Sequence, residues 1–184
     1  MSVFKTKGII LKIHKPKDKN FLYTIFTYDF GKILVSKKKN SKEKTLDLGY
    51  IVNSEIRTKE NLNIHSISNI KIVSEFNYEN KDFKLIEDYL KLLGLVLKNT
   101  PDWSPIFEVF NILELVNIYK NITSQKLCLA RLKVLNCLWE LDINHKDATV
   151  WKILKYINNH SISDILRLTG INDDIHRKLQ EIWV

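Results

Sequence analysis

The sequence predicts an α+β protein, a small five-stranded β-barrel followed by an all-α helical domain. Three observations carry that prediction. Over the first 76 residues, β-branched and aromatic residues come in short runs separated by polar turns bearing glycine or proline. From residue 82 the apolar spacing changes to the three-and-four rhythm of a helix packed on one face. The charge divides at the same place: residues 1–76 hold 15 Lys and Arg against 7 Asp and Glu, and residues 77–184 hold 14 against 14. With 184 residues and 45% hydrophobic content, the chain can bury a core in one or two domains.

The first predicted strand runs from Thr6 to Ile13, with Gly8 where a barrel strand bends. His14 to Asn20 is a polar, proline-containing connection. Phe21 to Tyr28 makes the second strand, and Asp29-Phe30-Gly31-Lys32 is the tight turn of a hairpin. Ile33 to Ser36 starts a third strand that runs into the basic segment Lys37 to Lys44. Gly49 to Thr58 supplies the fourth strand. Leu62 to Phe76 contains the fifth, anchored by Ile64, Ile67, Ile70 and Ile72. Five short strands suit a closed barrel better than an open sheet, and the OB-fold is the common five-stranded barrel that binds oligonucleotides.

The helical half follows from its apolar faces. Phe83, Ile86, Leu90, Leu93 and Leu97 line one side of a first helix. Ser104-Pro105 reads as an N-cap with proline at the first helical position, opening a second helix through Tyr119. A third, apolar helix spans Gln125 to Leu141 and a fourth Asp147 to Asn158. Ser161-Ile162-Ser163-Asp164 is a capping box before a short helix ending at Gly170, and a last helix runs from Asp173 to Trp183. The expected division is residues 1–78 for the barrel and 79–184 for the helices.

A basic first domain beside a neutral second one points to a polyanion partner for the first. Lys37, Lys38, Lys39, Lys42 and Lys44 form the densest candidate, because lysines on a connecting segment meet phosphates with little geometric demand. Lys7, Lys12, Lys15, Lys32 and Arg57 extend the candidate surface. Alternation puts Phe21, Tyr23, Ile25 and Thr27 on one face of the second strand and Leu22, Thr24, Phe26 and Tyr28 on the other. The Leu22 and Phe26 face reads as core, which leaves Tyr23 as the expected ring for stacking a base.

Other chemistries find no foothold. The five histidines are scattered, no zinc-protease helix or nucleophile elbow occurs, and five dispersed glycines cannot build a phosphate-cradling loop. No catalytic residue, metal or cofactor is expected, and no small-molecule substrate. Cys128 and Cys137 read as reduced core thiols. No apolar run is long enough to span a bilayer, so a cytoplasmic protein is expected.

The order of elements, together with Lys7-Gly-Ile-Ile-Leu-Lys12 and the stretch Phe21 to Ser36, resembles the opening of the RecO family of bacterial recombination mediators. Thr24, Phe26, Thr27, Gly31 and Lys32 occupy that family's Thr-x-Phe-Thr…Gly-Lys signature, Leu127 to Leu141 is similar to its apolar helix, and Ile153 to Trp183 to its closing helices. The four-cysteine zinc module of many members is missing, since Leu141 to His145 runs directly into the next helix. The resemblance implies a non-catalytic protein that binds single-stranded DNA, promotes annealing and loads RecA, with the single-stranded-DNA-binding protein and RecR as partners. Two alternatives come from other classes. One is a helical adaptor with incidental DNA contact. The other is a helix-turn-helix regulator whose recognition helix would be Asp173 to Gln180.

Overall fold

The structure, a computed structural model, describes residues 2–17, 20–38, 45–58, 63–76, 78 and 81–182. The first half forms β1 (Ser2–Lys17), β2 (Asn20–Thr27), β3 (Gly31–Lys38), β4 (Ile51–Thr58) and β5 (Ile64–Ser74). They pair as a closed ring in the order β1-β2-β3-β5-β4. The β3–β5 pair is parallel and the other four are antiparallel. β1 closes the ring because it is long enough to serve two neighbours. It pairs with β4 from Ser2 to Ile9 and with β2 from Gly8 to Lys17.

Alternation decides what the ring encloses. Ile10, Tyr23, Ile25, Ile33, Val35, Val52, Ile56 and Ile67 form its core, joined by Leu46. Cross-strand partners traced from Val3 through Arg57, Ser66, Ser36 and Leu22 return to β1 at His14, eleven positions further along. Closing a sheet requires such a stagger, because the strands must tilt against the barrel axis.

The helices are α1 (Phe83–Asn99), α2 (Phe107–Ile118), α3 (Ser124–Cys137), α4 (Ala148–Asn159), α5 (Ile162–Ile165) and α6 (Asp173–Glu181). Two compact units result: Met1–Asn77 with Val96–Ile118, and Tyr78–Leu95 with Tyr119–Val184. The division into 1–78 and 79–184 therefore needs correcting over 96–118, which belongs with the barrel. The physical reason is packing. Phe110 of α2 stacks on Phe26 with ring centroids 6.4 Å apart and meets Tyr28 edge-on at 5.5 Å. Asn117 Nδ2 also donates to the Gly49 carbonyl at 2.6 Å.

The stretch before α2 departs from its prediction as well. The helix begins at Phe107, so Ser104 is not its cap. The backbone of Ser104 instead lies against Gly31, whose φ of +70° and lack of a Cβ allow the approach. Thr27 reinforces the turn: its hydroxyl donates to the Gly31 carbonyl at 3.0 Å and accepts from the Phe30 amide at 3.1 Å.

In the second unit, Leu129, Leu132, Val150, Leu154, Ile157, Ile165 and Leu179 form the core, with Cys128 buried among them and Cys137 half-buried, neither in a disulfide. Helix starts follow capping chemistry. Asp147 accepts from the amides of Thr149 and Val150, Ser161 Oγ accepts from the Asp164 amide at 3.3 Å, and Asn172 serves Ile175. Arg131 and Asp88 are buried together as an ion pair at 3.8 Å. Among the described residues no helix is long and apolar enough to cross a membrane.

Two glycine substitutions separate strain from propensity. Gly31→Ala forces a Cβ into the Ser104 backbone at positive φ and should cost about 2–3 kcal/mol. Gly94→Ala, in an open position on α1, should gain about 0.5–1 kcal/mol. Paired thermal melts check both, and equal melting temperatures for the two variants would refute the turn geometry.

Candidate nucleic-acid interface

Three cations are brought together by strand ends. Lys37 and Lys38 close β3 and Arg57 sits one residue from the end of β4. With Asn20 at the start of β2 they line a cleft of about 910 Å³ on the barrel unit. Register explains the convergence: Arg57 is opposite Ser66, Ser66 opposite Ser36, and Lys38 opposite Asn20. Residues directly opposite across a sheet share a face, so Arg57, Ser66 and Ser36 form one row, Lys38 and Asn20 stand in the next row on that face, and Lys37, opposite Phe21, belongs to the other face.

A bulge in β5 completes the lining. Asn53 pairs with Lys71 and Glu55 with Ser68, so β5 carries one more residue than β4 over this step. The irregularity includes Asn69, at φ +50°, a conformation that asparagine tolerates better than most residues. Its Nδ2 donates to Glu55 Oε2 at 2.7 Å. Ser68 and Asn69 both line the cleft, above an apolar floor that includes Ile67 and Ile70.

Among the described residues no carboxylate lines this cleft. A second one, of about 420 Å³, is lined by Lys5, Lys7, Asp29 and Glu55, so its charges balance. The excess of positive charge therefore lies in the first. The nearby imidazoles add little positive charge at pH 7. His14 is shifted below the usual histidine range by burial and then by Lys12, and His65 by burial.

The predicted site residues meet different fates. Lys37, Lys38 and Arg57 converge. Lys12 is exposed on β1, and its pairing with Thr24 puts it on the same face of the sheet as Lys38. Lys15 belongs to β1, its side chain lying outside the description, and Lys39, Lys42 and Lys44 fall outside the described residues. Two of the predicted lysines are engaged within the barrel unit. Lys7 forms an ion pair with Glu114 of α2. Lys32 donates through Nζ to the Leu97 carbonyl at 2.9 Å, stands 3.4 Å from Asp102, and leaves 16% of its side chain exposed.

Tyr23 is also corrected. It is 1% exposed in the barrel core, and burial raises its hydroxyl pKa. The choice of face was inverted because both sides of β2 are covered. The barrel interior takes Tyr23 and Ile25, while α2 covers Phe26 from outside. The neutral lining, Ser36, Ser66, Ser68 and Asn69, had no signal in the sequence, since only register and a bulge bring it together.

The regulator's recognition helix loses its cations to neighbouring acids. In α6, Arg177 contacts Asp174 at 2.8 Å, and Lys178 contacts Asp147 at 2.8 Å and Asp174 at 2.9 Å. α5, the helix before it, has four residues. Among the described residues, no group of three His, Cys, Asp or Glu side chains is placed to hold a metal.

Tyr23→Phe should leave oligonucleotide affinity unchanged, and Tyr23→Ala should cost about 3–5 kcal/mol of stability by opening a core cavity. Denaturant unfolding beside a binding titration checks the pair; a binding defect in Tyr23→Phe with normal stability would restore the hydroxyl to the site. No protein-family model matches the chain, and no curated protein matches it in sequence.

Proposed function

We propose that this chain binds single-stranded DNA in the cleft of Lys37, Lys38 and Arg57, and acts without catalysis as a cytoplasmic recombination mediator of the RecO type. The observation that carries the reading is that cleft: three cations and five neutral polar side chains with no carboxylate among the described lining. The strand order β1-β2-β3-β5-β4 supports an OB-fold. In OB-folds the oligonucleotide crosses strands 2 and 3 between the β1–β2 and β4–β5 connections. Asn20 borders the first connection and Arg57 the second, and both line the cleft.

The mechanism is electrostatic. The ammonium and guanidinium groups displace counterions condensed on the phosphates, and serines and asparagines donate hydrogen bonds to phosphate oxygens. Such contacts position a strand without reading its sequence. The partners implied by the resemblance, the single-stranded-DNA-binding protein and RecR, belong to the same proposal. An adaptor reading draws on one observation, the exposure of Phe83 and Trp139 at 81% and 95% in the helical unit.

Fluorescence anisotropy with unstructured single-stranded and duplex oligonucleotides, from low to physiological salt, tests the reading. Affinity should fall steeply with salt and depend little on sequence. Replacing Lys37, Lys38 and Arg57 together by alanine should flatten the logarithmic salt slope by about 2. Absence of binding at low salt would sink the DNA reading and leave the adaptor in front.

A further inference from the structure

The parallel register of β3 with β5 is short. Leu34 stands opposite Ile64, Val35 opposite His65 and Ser36 opposite Ser66. Both strands run on, β3 to Lys38 and β5 to Ser74, yet past Ser36 and Ser66 their partners lie on other strands. Lys37 and Lys38 pair with Phe21 and Asn20 of β2, and Ile67 and Ser68 with Ile56 and Glu55 of β4. The barrel wall parts at that point, and the cationic cleft is lined from both of its faces. Ser36, Ser66, Lys38 and Arg57 share the outer face. Leu46 and Ile67 belong to the barrel core, and Ile70 and Ile72 pack against it. The cleft is thus a slot into the wall rather than a groove across it. One polar group in the slot has no use in the fold. The Ser68 hydroxyl, part of the lining, is buried and makes no hydrogen bond among the described residues. A buried hydroxyl without a partner costs free energy, and a ligand edge that reaches it recovers the loss.

We propose that this slot takes one unpaired base of the single strand, its faces against Ile67, Ile70 and Ile72 and its edge on the Ser68 hydroxyl, while the flanking phosphates meet Lys38 and Arg57 at the outer rim. This rests on the DNA-binding reading and adds to it the groups that meet a base. The lining divides the two roles. A phosphate stops at the rim, because an apolar floor would strip its hydration and replace nothing. A base has apolar faces and a polar edge, which suits a floor of isoleucines beside a hydroxyl. A hydroxyl both donates and accepts, so the edge of any base can be served and the slot is indifferent to sequence. Bases inside a duplex are paired and stacked, and must leave the stack before they can enter.

The test uses the full chain at low salt and two single strands of equal length. One is abasic throughout, and the other is abasic except for a central 2-aminopurine. Wild type should bind the strand with the base about 10-fold more tightly, and the bound 2-aminopurine should be shielded from acrylamide quenching. Ser68→Ala should weaken binding of that strand by about 2- to 12-fold and leave the abasic strand unaffected. Its melting temperature should not fall, because the hydroxyl has no partner to lose. Ile70→Phe fills the slot and should bring the two strands to equal affinity; the wild-type comparison stands even where that variant fails to fold. Equal wild-type affinity for the two strands, or a bound 2-aminopurine that acrylamide still quenches, overturns the slot and leaves the phosphate contacts standing. Failure of wild type to bind either strand overturns the DNA-binding reading itself.

Discussion

The ammonium of Lys32 on the Leu97 carbonyl is the contact on which the barrel unit depends. It carries a lysine from the start of β3 to the end of α1 and fixes the chain that leads into α2. Around it the junction is stitched by the Trp103 amide on the Lys32 carbonyl and by the tight approach of Ser104 to Gly31. Once that stretch is held, α2 must lie along the outside of β2, where Phe110 finds Phe26 and Glu114 finds Lys7. A charged donor on a part-buried carbonyl contributes more than a neutral hydrogen bond, about 1.5–3 kcal/mol at most. The Gly-Lys pair of the signature is thus explained by structure alone: glycine for proximity, lysine for reach.

That use of lysine sorts the basic half of the chain. Lys7 and Lys32 are committed to holding α2 and the segment before it, whereas Lys38 and Arg57 stand at the barrel rim, exposed. A net excess of positive charge counts both kinds alike. Only their partners distinguish a cation that braces the fold from one placed for a ligand, and a lysine already matched with a carboxylate releases few counterions on binding. Among the described residues, the positive charge of the acid-free cleft comes from three cations, Lys37, Lys38 and Arg57.

The five strands and the helical half were legible because their periods, two and then three to four, are properties of the chain itself. Capping by Ser161 was legible for the same reason, since donor and acceptor lie within one turn. What escaped was long-range. Ser104-Pro105 has the composition of a helix start, yet contact with Gly31, 73 positions earlier, outweighs the local preference and α2 begins at Phe107. Tyr23 and Phe26 offered alternation with no indication that both faces of β2 would be buried. The site was half legible. Its cations stand out in the sequence, whereas Ser66, Ser68 and Asn69 come to them through a parallel pairing and a bulge.

On the proposed reading, these features together bear on which form of nucleic acid the barrel prefers. Phosphate contacts alone favour a duplex, whose charge density per unit length is the higher. A site that takes a base reverses that preference, because bases inside a duplex already stack on one another and must be unstacked, at a few kcal/mol each, before they can enter it. Affinity at low salt then resides in Lys37, Lys38 and Arg57.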